Sequence, residues 1–541
     1  QGPYPMFHLF SKKNGNLKDD SLSGLTVALA LVPEAIAFSF IAGVNPLVGL
    51  WAAVFMGFIT AACGGRPGMI SGATGAIAVV AGKAVQYGDN LGDGLGLQFL
   101  FAVIMVAGCI QILFGVLKLG RFIRLVPHPV MIGFVNGLAI VICMGQFGFF
   151  KKFSHLDESG GRVMEWMQGS ELGILIGLIV LTMAIIQFFP KITKAVPSTL
   201  VAIIVVGLIA YFGPDARTIE NVLKDGGGDG TLSGSFPVPA WPSGIVWGDH
   251  WMFILQTAFV VAMVGIIESL MTLQLIDEIT ETRGQGNREC VAQGGANFLS
   301  GLFGGMGGCA MIGQSLINIK SGGRGRTSGI VASVSLTLFI VIGGPVIIQI
   351  PIAALVGVMF MVVIGTFEWS TFKSFGKIAK SEMLIILTVT LVTAVMHDLA
   401  LAVFVGIILS ALVFAWESSK HIIVTMHKDT PEERIYGVEG MLYFGSVREF
   451  SDKFQARSDV PNIVIDFEEA RVCDLSGLEA INALGERYRN AGKVLHVRHL
   501  SSDCRQMLEK AGTLVDIEVL PDDPHYSVAL LRSEKSKIIG S

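Results

Sequence analysis

The chain has 541 residues, of which 52% are hydrophobic and 15% charged, with 39 Lys and Arg against 43 Asp and Glu for a net charge of −4. So low a charged fraction excludes a purely water-soluble globule, and the lack of a basic excess argues against a nucleic-acid partner. The seven cysteines show neither a disulfide framework nor metal-ligand spacing, and Cys63, Cys109, Cys143 and Cys309, all in apolar stretches, read as small hydrophobes.

Gln1–Pro5 are read as a protease-site remnant and Met6 as the native start, with no cleavable signal after it. Residues 1–20 comprise this remnant and an expected cytoplasmic amino-terminus, polar over Ser11–Asp20. From 21 to 418 apolar runs dominate, at 22–42, 47–63, 68–86, 98–118, 129–148, 171–189, 196–212, 251–276, 291–304, 309–320, 327–345, 351–366, 382–396 and 399–416. These fourteen segments predict a polytopic α-helical membrane domain, several of them too short to cross alone. Loop charge predicts orientation. Lys118, Arg121, Arg124, Lys191, Lys194, Arg283, Arg288, Lys320, Arg324, Arg326, Lys373, Lys377 and Lys380 fall on the side that would face the cytoplasm, whereas the outer loops hold Lys151, Lys152, Arg162, Arg217 and Lys224 offset by acids, and this bias places both termini inside. The connection Gly213–His250, rich in Gly and Pro, is expected to be an extended outer loop between two halves of seven segments each.

The third segment begins GGRPGMISGATG from Gly64, and the tenth begins GGMGGCAMIGQ from Gly304. Each is third in its half, and each passes from a Gly-rich stretch into a helix. Interrupted segments in matching positions mark transporter sites, because half-helix ends aim free N–H groups and positive dipole ends into a cavity. A small anion is the natural cargo of such a site.

Two acids stand inside spans, Glu34 after Pro33 in the first and Glu268 in the eighth, with Thr272 one turn beyond Glu268 on the same face. A carboxyl group there can bind a cation, carry a proton or balance a nearby charge. Asn136, Gln146, Asn297, Gln314 and Asn318 are polar residues within spans, for which helix–helix hydrogen bonding competes with substrate contact. His397 and Asp398 read as a solvated turn.

After a linker at 419–434, residues 435–535 read as a small soluble α/β domain, followed by a tail at 536–541. Its strands are expected at 435–444, 462–467, 494–499 and 515–520, and its helices at 476–491 and 502–511. Ser476 is placed as the cap of the first helix, with Glu479 at capping-box spacing. No nucleophile–base pair, P-loop or metal motif is legible, so an enzyme is not expected.

Linked stretches carry a family resemblance: LSGLTVALALVPEAIAF with NPLVGLWAA, LGRFIRLVPHPVMIGFVNGLAIVI, GIIESLMT, NRECVAQGGANFLSGLFGG, NIKSGGRGRTSGI, and VIDFEEARVCDLSGLEAI in the tail. In this order and spacing the chain resembles bacterial sulfate permease (SulP) anion transporters with a C-terminal STAS domain. The resemblance implies a seven-plus-seven inverted repeat with core and gate subdomains, an elevator-type mechanism, and a homodimer in the inner membrane. It implies substrate contacts from Thr74, Ala310, Met311, Ile312 and Gln314, and a coupling proton or Na⁺ at Glu268 and Thr272, with Glu34 a second proton site. Gln314 stands where many sulfate-type relatives have Arg, which favours a monovalent anion such as bicarbonate over sulfate or a dicarboxylate. No cofactor is expected beyond a coupling Na⁺. Ser476 matches a serine phosphorylated in related anti-sigma-factor antagonists, and the STAS domain is a candidate binder of a protein such as acyl carrier protein. An uncoupled exchanger or channel, and a STAS-based sensor, are the alternative functions.

Overall fold

The structure is a computed structural model. It describes residues 16–92, 94–120, 127–156, 162–193, 197–213, 216–225, 235–373, 377–396, 399–419, 422–501, 504 and 518–519. The chain forms two compact units, Gln1–Ile407 and Ile408–Ser541.

The first half of the helical unit runs α1 (Leu17–Ile41), α2 (Pro46–Cys63), the two-residue strand β1 (Ser71–Gly72), α3 (Gly75–Asp89), α4 (Leu95–Val116), α5 (His128–Gln146), the hairpin β2 (Lys151–Leu156) and β3 (Arg162–Trp166), α6 (Gly169–Phe188), α7 (Ser198–Phe212) and the short α8 (Ile219–Asp225). The second half runs α9 (Trp247–Thr280), α10 (Gly286–Leu302), β4 (Cys309–Ala310), α11 (Ile312–Lys320), α12 (Arg326–Ile347), α13 (Ile352–Thr366), the short α14 (Ser370–Lys373), α15 (Lys380–Met396) and α16 (Leu399–Ser419), whose second half is counted with the other unit. Each of the fourteen apolar runs has its helix. Eight helices of the described residues have the length and hydropathy to cross a bilayer.

Helix starts follow local chemistry. Asn16 caps α1 and Asn45 caps α2, each through its side-chain oxygen, and Pro46 occupies the first turn of α2. Two connections carry more structure than the sequence suggests. Lys151–Leu156 and Arg162–Trp166, in a stretch expected as an outer loop, pair as antiparallel strands. The Gly213–His250 connection is not wholly extended: it contains α8, and Thr218 bridges to Pro351.

The helices sort into two bundles. In the first, α4 packs along α9 and α10, while α12 packs on α1 and α2. In the second, α5 packs on α13 and α15, and α6 packs on α7 and α13. Glycines set the closeness of the first bundle. A Cβ at Gly294 would lie 2.5 Å from the Gly108 carbonyl oxygen, and one at Gly108 would lie 2.6 Å from that of Gly294. Gly115 and Gly301 repeat the contact seven residues along each helix. Backbones this close bury van der Waals contact without side chains, which is how membrane helices associate where apolar burial gives no driving force. Apolar side chains that cover the second bundle, such as Ile176, Val180, Leu391 and Phe404, are exposed and suit lipid.

The second unit holds a five-stranded sheet in the order β5 (Ile423–Asp429), β6 (Glu433–Leu442), β7 (Asn462–Val472), β8 (Val494–Arg498), β9 (Glu518–Val519). β5 is antiparallel to β6, and the other neighbours are parallel. Thus the stretch read as linker contributes an edge strand, because Ile423–Asp429 finds a partner in β6. Between the strands lie α17 (Val447–Asp452) and α18 (Leu475–Asn490), whose apolar faces bury Phe450, Leu478, Ile481, Leu484 and Tyr488. Ser476 is not the cap of α18. Asp474 is, its Oδ1 accepting from the Gly477 N–H at 2.9 Å and its Oδ2 from the Phe444 N–H at 2.9 Å. A carboxylate facing a helix N-terminus gains from the dipole as well as the hydrogen bond, so it wins over the serine two residues later. The predicted helix at 502–511 lies outside the described residues except for Cys504, as do His397 and Asp398.

Candidate functional site

Two interrupted segments meet at the centre of the first bundle. β1 and β4 pair antiparallel, Ser71 opposite Ala310 and Gly72 opposite Cys309. The pairing needs glycine, since a Cβ at Gly308 would lie 1.9 Å from the Gly72 carbonyl oxygen. Each strand runs directly into a helix: β1 through Ala73 and Thr74 into α3, and β4 through Met311 into α11. Neither helix has a side-chain cap. The first-turn N–H groups of Gly75–Ile77 and of Ile312–Gln314 therefore have no partner within their own helices.

The surroundings of the two ends differ. A Cβ at Gly75 would meet Ile142 of α5 at 2.7 Å and Phe38 of α1 at 2.9 Å, so the start of α3 is covered by α1 and by α5 of the second bundle. Gly313 is exposed, and a Cβ there would meet nothing within 4 Å. The start of α11 thus faces open space. Gln314 is 1% exposed, its Oε1 has no hydrogen-bond partner, and its side chain interacts with the Glu34 carboxyl group. A buried amide oxygen left unpaired beside open space is a place where a ligand or its water would bind.

Glu268 reaches this centre from α9. Its Oε2 accepts the Cys309 thiol at 3.0 Å, and the Cys309 sulfur lies 3.2 Å from the Thr74 hydroxyl. Thr272 donates to the Glu268 backbone carbonyl at 2.8 Å and lies 3.4 Å from the Ala310 carbonyl oxygen. The Ala310 N–H goes to the Ser269 hydroxyl at 3.1 Å, and the Met311 N–H to the Ile70 carbonyl at 2.9 Å. The backbone donors of Ala310 and Met311 are spent on the Ser269 hydroxyl and the Ile70 carbonyl, and those without a partner in their own helix begin at Ile312. The structure brings Thr74, Glu268, Thr272, Ala310, Met311, Ile312 and Gln314 together, and Glu34 joins them through Gln314. Ser476 belongs to the other unit.

The other polar residues within spans brace the structure. Asn297 accepts from the Gly308 N–H at 2.8 Å and donates to the Gly308 carbonyl and to Gln111. Asn318 donates to the Gly68 carbonyl and to Ser328. Asn136 bonds Thr371 and the Glu368 N–H. Gln146 donates to the Ile142 carbonyl, and its Oε1 is unpaired. The roles of Cys309, Ser269, Gln293 and the buried acid Glu289 go beyond the sequence expectations. Glu289, Gln293 and Asn297 recur at four-residue spacing, which puts them on one face of α10 and is a readable signal. Gln293 donates to Glu289 and to the Ser71 hydroxyl, both within 2.8 Å, and Glu289 accepts from the Gly65 N–H at 2.7 Å. One stripe of α10 thus ties down both short strands.

In the second unit, Asp466, Glu468 and His499 are the group among the described residues with metal-ligand spacing. Asp466 is already engaged by Arg498 at 2.8 Å and His499 at 2.7 Å, and a cationic guanidinium there opposes a metal ion.

Comparison with known proteins places this geometry in a family. Residues 17–390 match the sulfate permease family and 422–523 the STAS domain. The chain is 40% identical over 497 residues to YbaR of Bacillus subtilis, named as a putative sulfate transporter, covering 92% of this chain and 97% of that one.

The chain belongs to the sulfate permease family.

Within this family it is also 29% identical to the bicarbonate transporter BicA of Picosynechococcus, over 92% of this chain and 91% of the other. Among solved structures, the transmembrane domain of a cyanobacterium bicarbonate transporter BicA aligns with a TM-score of 0.62 at 28% identity, covering 75% of this chain and all of that one. SLC26A9 shares the fold at 15% identity, with a TM-score of 0.74 over 97% of this chain and 91% of that one. The sulfate permease membership makes this chain a multi-pass membrane protein of an anion-transporter family.

Proposed function

We propose that this chain is a secondary transporter that moves a small anion, bicarbonate first with sulfate or a dicarboxylate next, coupled to a cation at Glu268. The observation that carries the reading is the uncapped start of α11 at Ile312–Gln314, open at Gly313 and set just after the β1–β4 pair. Backbone N–H groups and a helix dipole hold one negative charge without a fixed cation, and the site has Gln314 in place of a basic residue. The names of the BicA relatives support bicarbonate, and that of YbaR supports sulfate.

A proton is the coupling ion this site suits better. Among the described residues Glu268 has no Lys or Arg partner, and a thiol occupies its Oε2. Na⁺ is a hard cation that prefers oxygen ligands, and Cys309 puts sulfur where a further oxygen would be needed. The residues that would hold Na⁺ are Glu268, Thr272 and the Ala310 carbonyl. The tight first bundle, with its glycine contacts, would move as one body past the second, at the seam where Ile142 presses on Gly75. Both termini would face the cytoplasm of a bacterial inner membrane, and the protein would work as a homodimer, its STAS domain free to bind a regulatory protein.

Proteoliposome uptake tests the reading, with bicarbonate, sulfate, chloride and fumarate offered under an imposed pH gradient, an imposed Na⁺ gradient, or neither. Bicarbonate accumulation driven by the pH gradient supports it. Flux that follows membrane potential alone would make the protein a channel or uncoupled exchanger instead.

A further inference from the structure

Apart from the paired helix ends, a cavity of about 410 Å³ opens on the second bundle between the hairpin, the start of α6, α8 and the start of α13. Its wall carries two cations and two anions. Lys152 pairs with Glu171 at 2.7 Å, and Arg217 pairs with Asp225. Arg217 also donates to the Lys151 carbonyl at 2.5 Å, and its own carbonyl accepts from the Ile352 N–H at 2.9 Å, so the hairpin and α13 hold it in place. The floor is apolar: Leu175 and Leu178 of α6 are buried there.

The surroundings are those of a membrane–water boundary. The Lys151 ammonium lies 5.2 Å over the Trp166 ring, and Trp166 is itself exposed, a pairing typical of the interfacial belt. Farther along α6, Ile176 and Val180 are exposed and apolar. α6 starts at the cavity without a side-chain cap, and Ser170 and Glu171 of its first turn line the wall. The space therefore offers N–H groups and cations for an anion, carboxylates for a cation, and an apolar track leading away along α6.

We infer that this cavity binds the headgroup of a zwitterionic phospholipid, with the phosphate at Arg217, Lys152 and the α6 N-terminus, the ammonium at Glu171 and Asp225, and an acyl chain along α6. The charge balance decides the class. An anionic headgroup is favoured by a net positive pocket, whereas two cations facing two anions complement a phosphate and an amine on one molecule. A lipid seated here would join the hairpin, α6, α8 and α13 into one piece.

The test uses the full chain, extracted from vesicles of equal phosphatidylethanolamine and phosphatidylglycerol, with retained lipid measured by mass spectrometry. Phosphatidylethanolamine should be enriched about fivefold over its bulk share, a preference worth about one charge contact at a membrane surface. Arg217→Gln and, separately, the more exposed Lys152→Gln should each bring the ratio back toward bulk, while the bulk-ratio control on the unaltered chain needs no variant. Retention in the bulk ratio, or enrichment of phosphatidylglycerol, would overturn the inference. So would displacement of the retained lipid by millimolar inorganic phosphate, which would make the site one for a free soluble anion.

Discussion

Cys309 joins the two halves of the site: its thiol donates to Glu268 at 3.0 Å and its sulfur meets the Thr74 hydroxyl at 3.2 Å. A movement of either helix start is thereby felt at the carboxyl group on α9. Removing the link with Cys309→Ala should slow coupled uptake about tenfold, the scale of one hydrogen bond to an ionisable group. Cys309→Ser keeps a donor at the same place and should retain most of the activity. Glu268→Gln should keep the shape while removing the titratable group, leaving exchange but no accumulation on a pH gradient. Accumulation by Glu268→Gln equal to that of the parent would end the coupling role.

Gln314 and Glu34 make a second, less obvious prediction. Introducing an arginine at position 314 would put a guanidinium beside the Glu34 carboxyl group, because the two side chains already interact. A buried ion pair would form and the added charge would be cancelled. Gln314→Arg alone should therefore leave the sulfate-to-bicarbonate uptake ratio nearly unchanged. The double variant Glu34→Gln with Gln314→Arg frees the cation, and the ratio should rise by about tenfold. Competition uptake on the two single variants and the double decides it. A full shift in Gln314→Arg alone would show that Glu34 does not face the site.

Much of the fold and of the site is legible in the residues alone, and the rest is not, for physical reasons. Apolar runs give away the fourteen longer helices of the first unit, and Gly-rich interruptions give away the half-helices. β1 and β4 are two residues each, too short for any periodicity to show. The part played by Cys309 is unreadable because Thr74 is 235 residues away and Glu268 is 41, and an apolar flank makes any cysteine look like filler. Ser476 looks like a cap by spacing, yet the choice between it and Asp474 depends on Phe444, whose N–H is 30 residues off in sequence.

The α4–α10 contact should be intolerant of even one methyl group. A Cβ at Gly294 would sit 2.5 Å from a backbone oxygen and 2.6 Å from the Ile112 backbone nitrogen, and backbone in a packed bundle cannot step aside as a side-chain end can. Gly294→Ala should destabilise the detergent-solubilised protein by about 1–3 kcal/mol, read as a lowered melting temperature on size-exclusion chromatography. Gly295→Ala is the matched control, since a Cβ there meets nothing within 4 Å. Equal melting of the two variants would refute the close approach.

In the second unit, Asp466 makes stability depend on pH. It is 3% exposed, and burial acts to raise its pKa, but the His499 ring, the Glu468 backbone N–H and the Arg498 guanidinium outweigh burial and hold the carboxyl below the ordinary aspartate value. His499 adopts a φ of 57° to reach it, an uncommon backbone conformation for a non-glycine residue. The folded domain therefore binds the proton less readily than the unfolded chain, whose aspartate titrates near about 3.9. The contribution is complete above that value and fades as the pH falls through the lower, folded one. Asp466→Asn should cost about 1.5–3 kcal/mol at neutral pH, the scale of hydrogen bonds to a charged group. It should also flatten the loss of stability on acidification. Hydrogen exchange of the β7 and β8 amides in the full-length protein, followed from neutral pH into the acid range, measures both effects. An unchanged acid limb in Asp466→Asn would assign the pH dependence to another carboxylate.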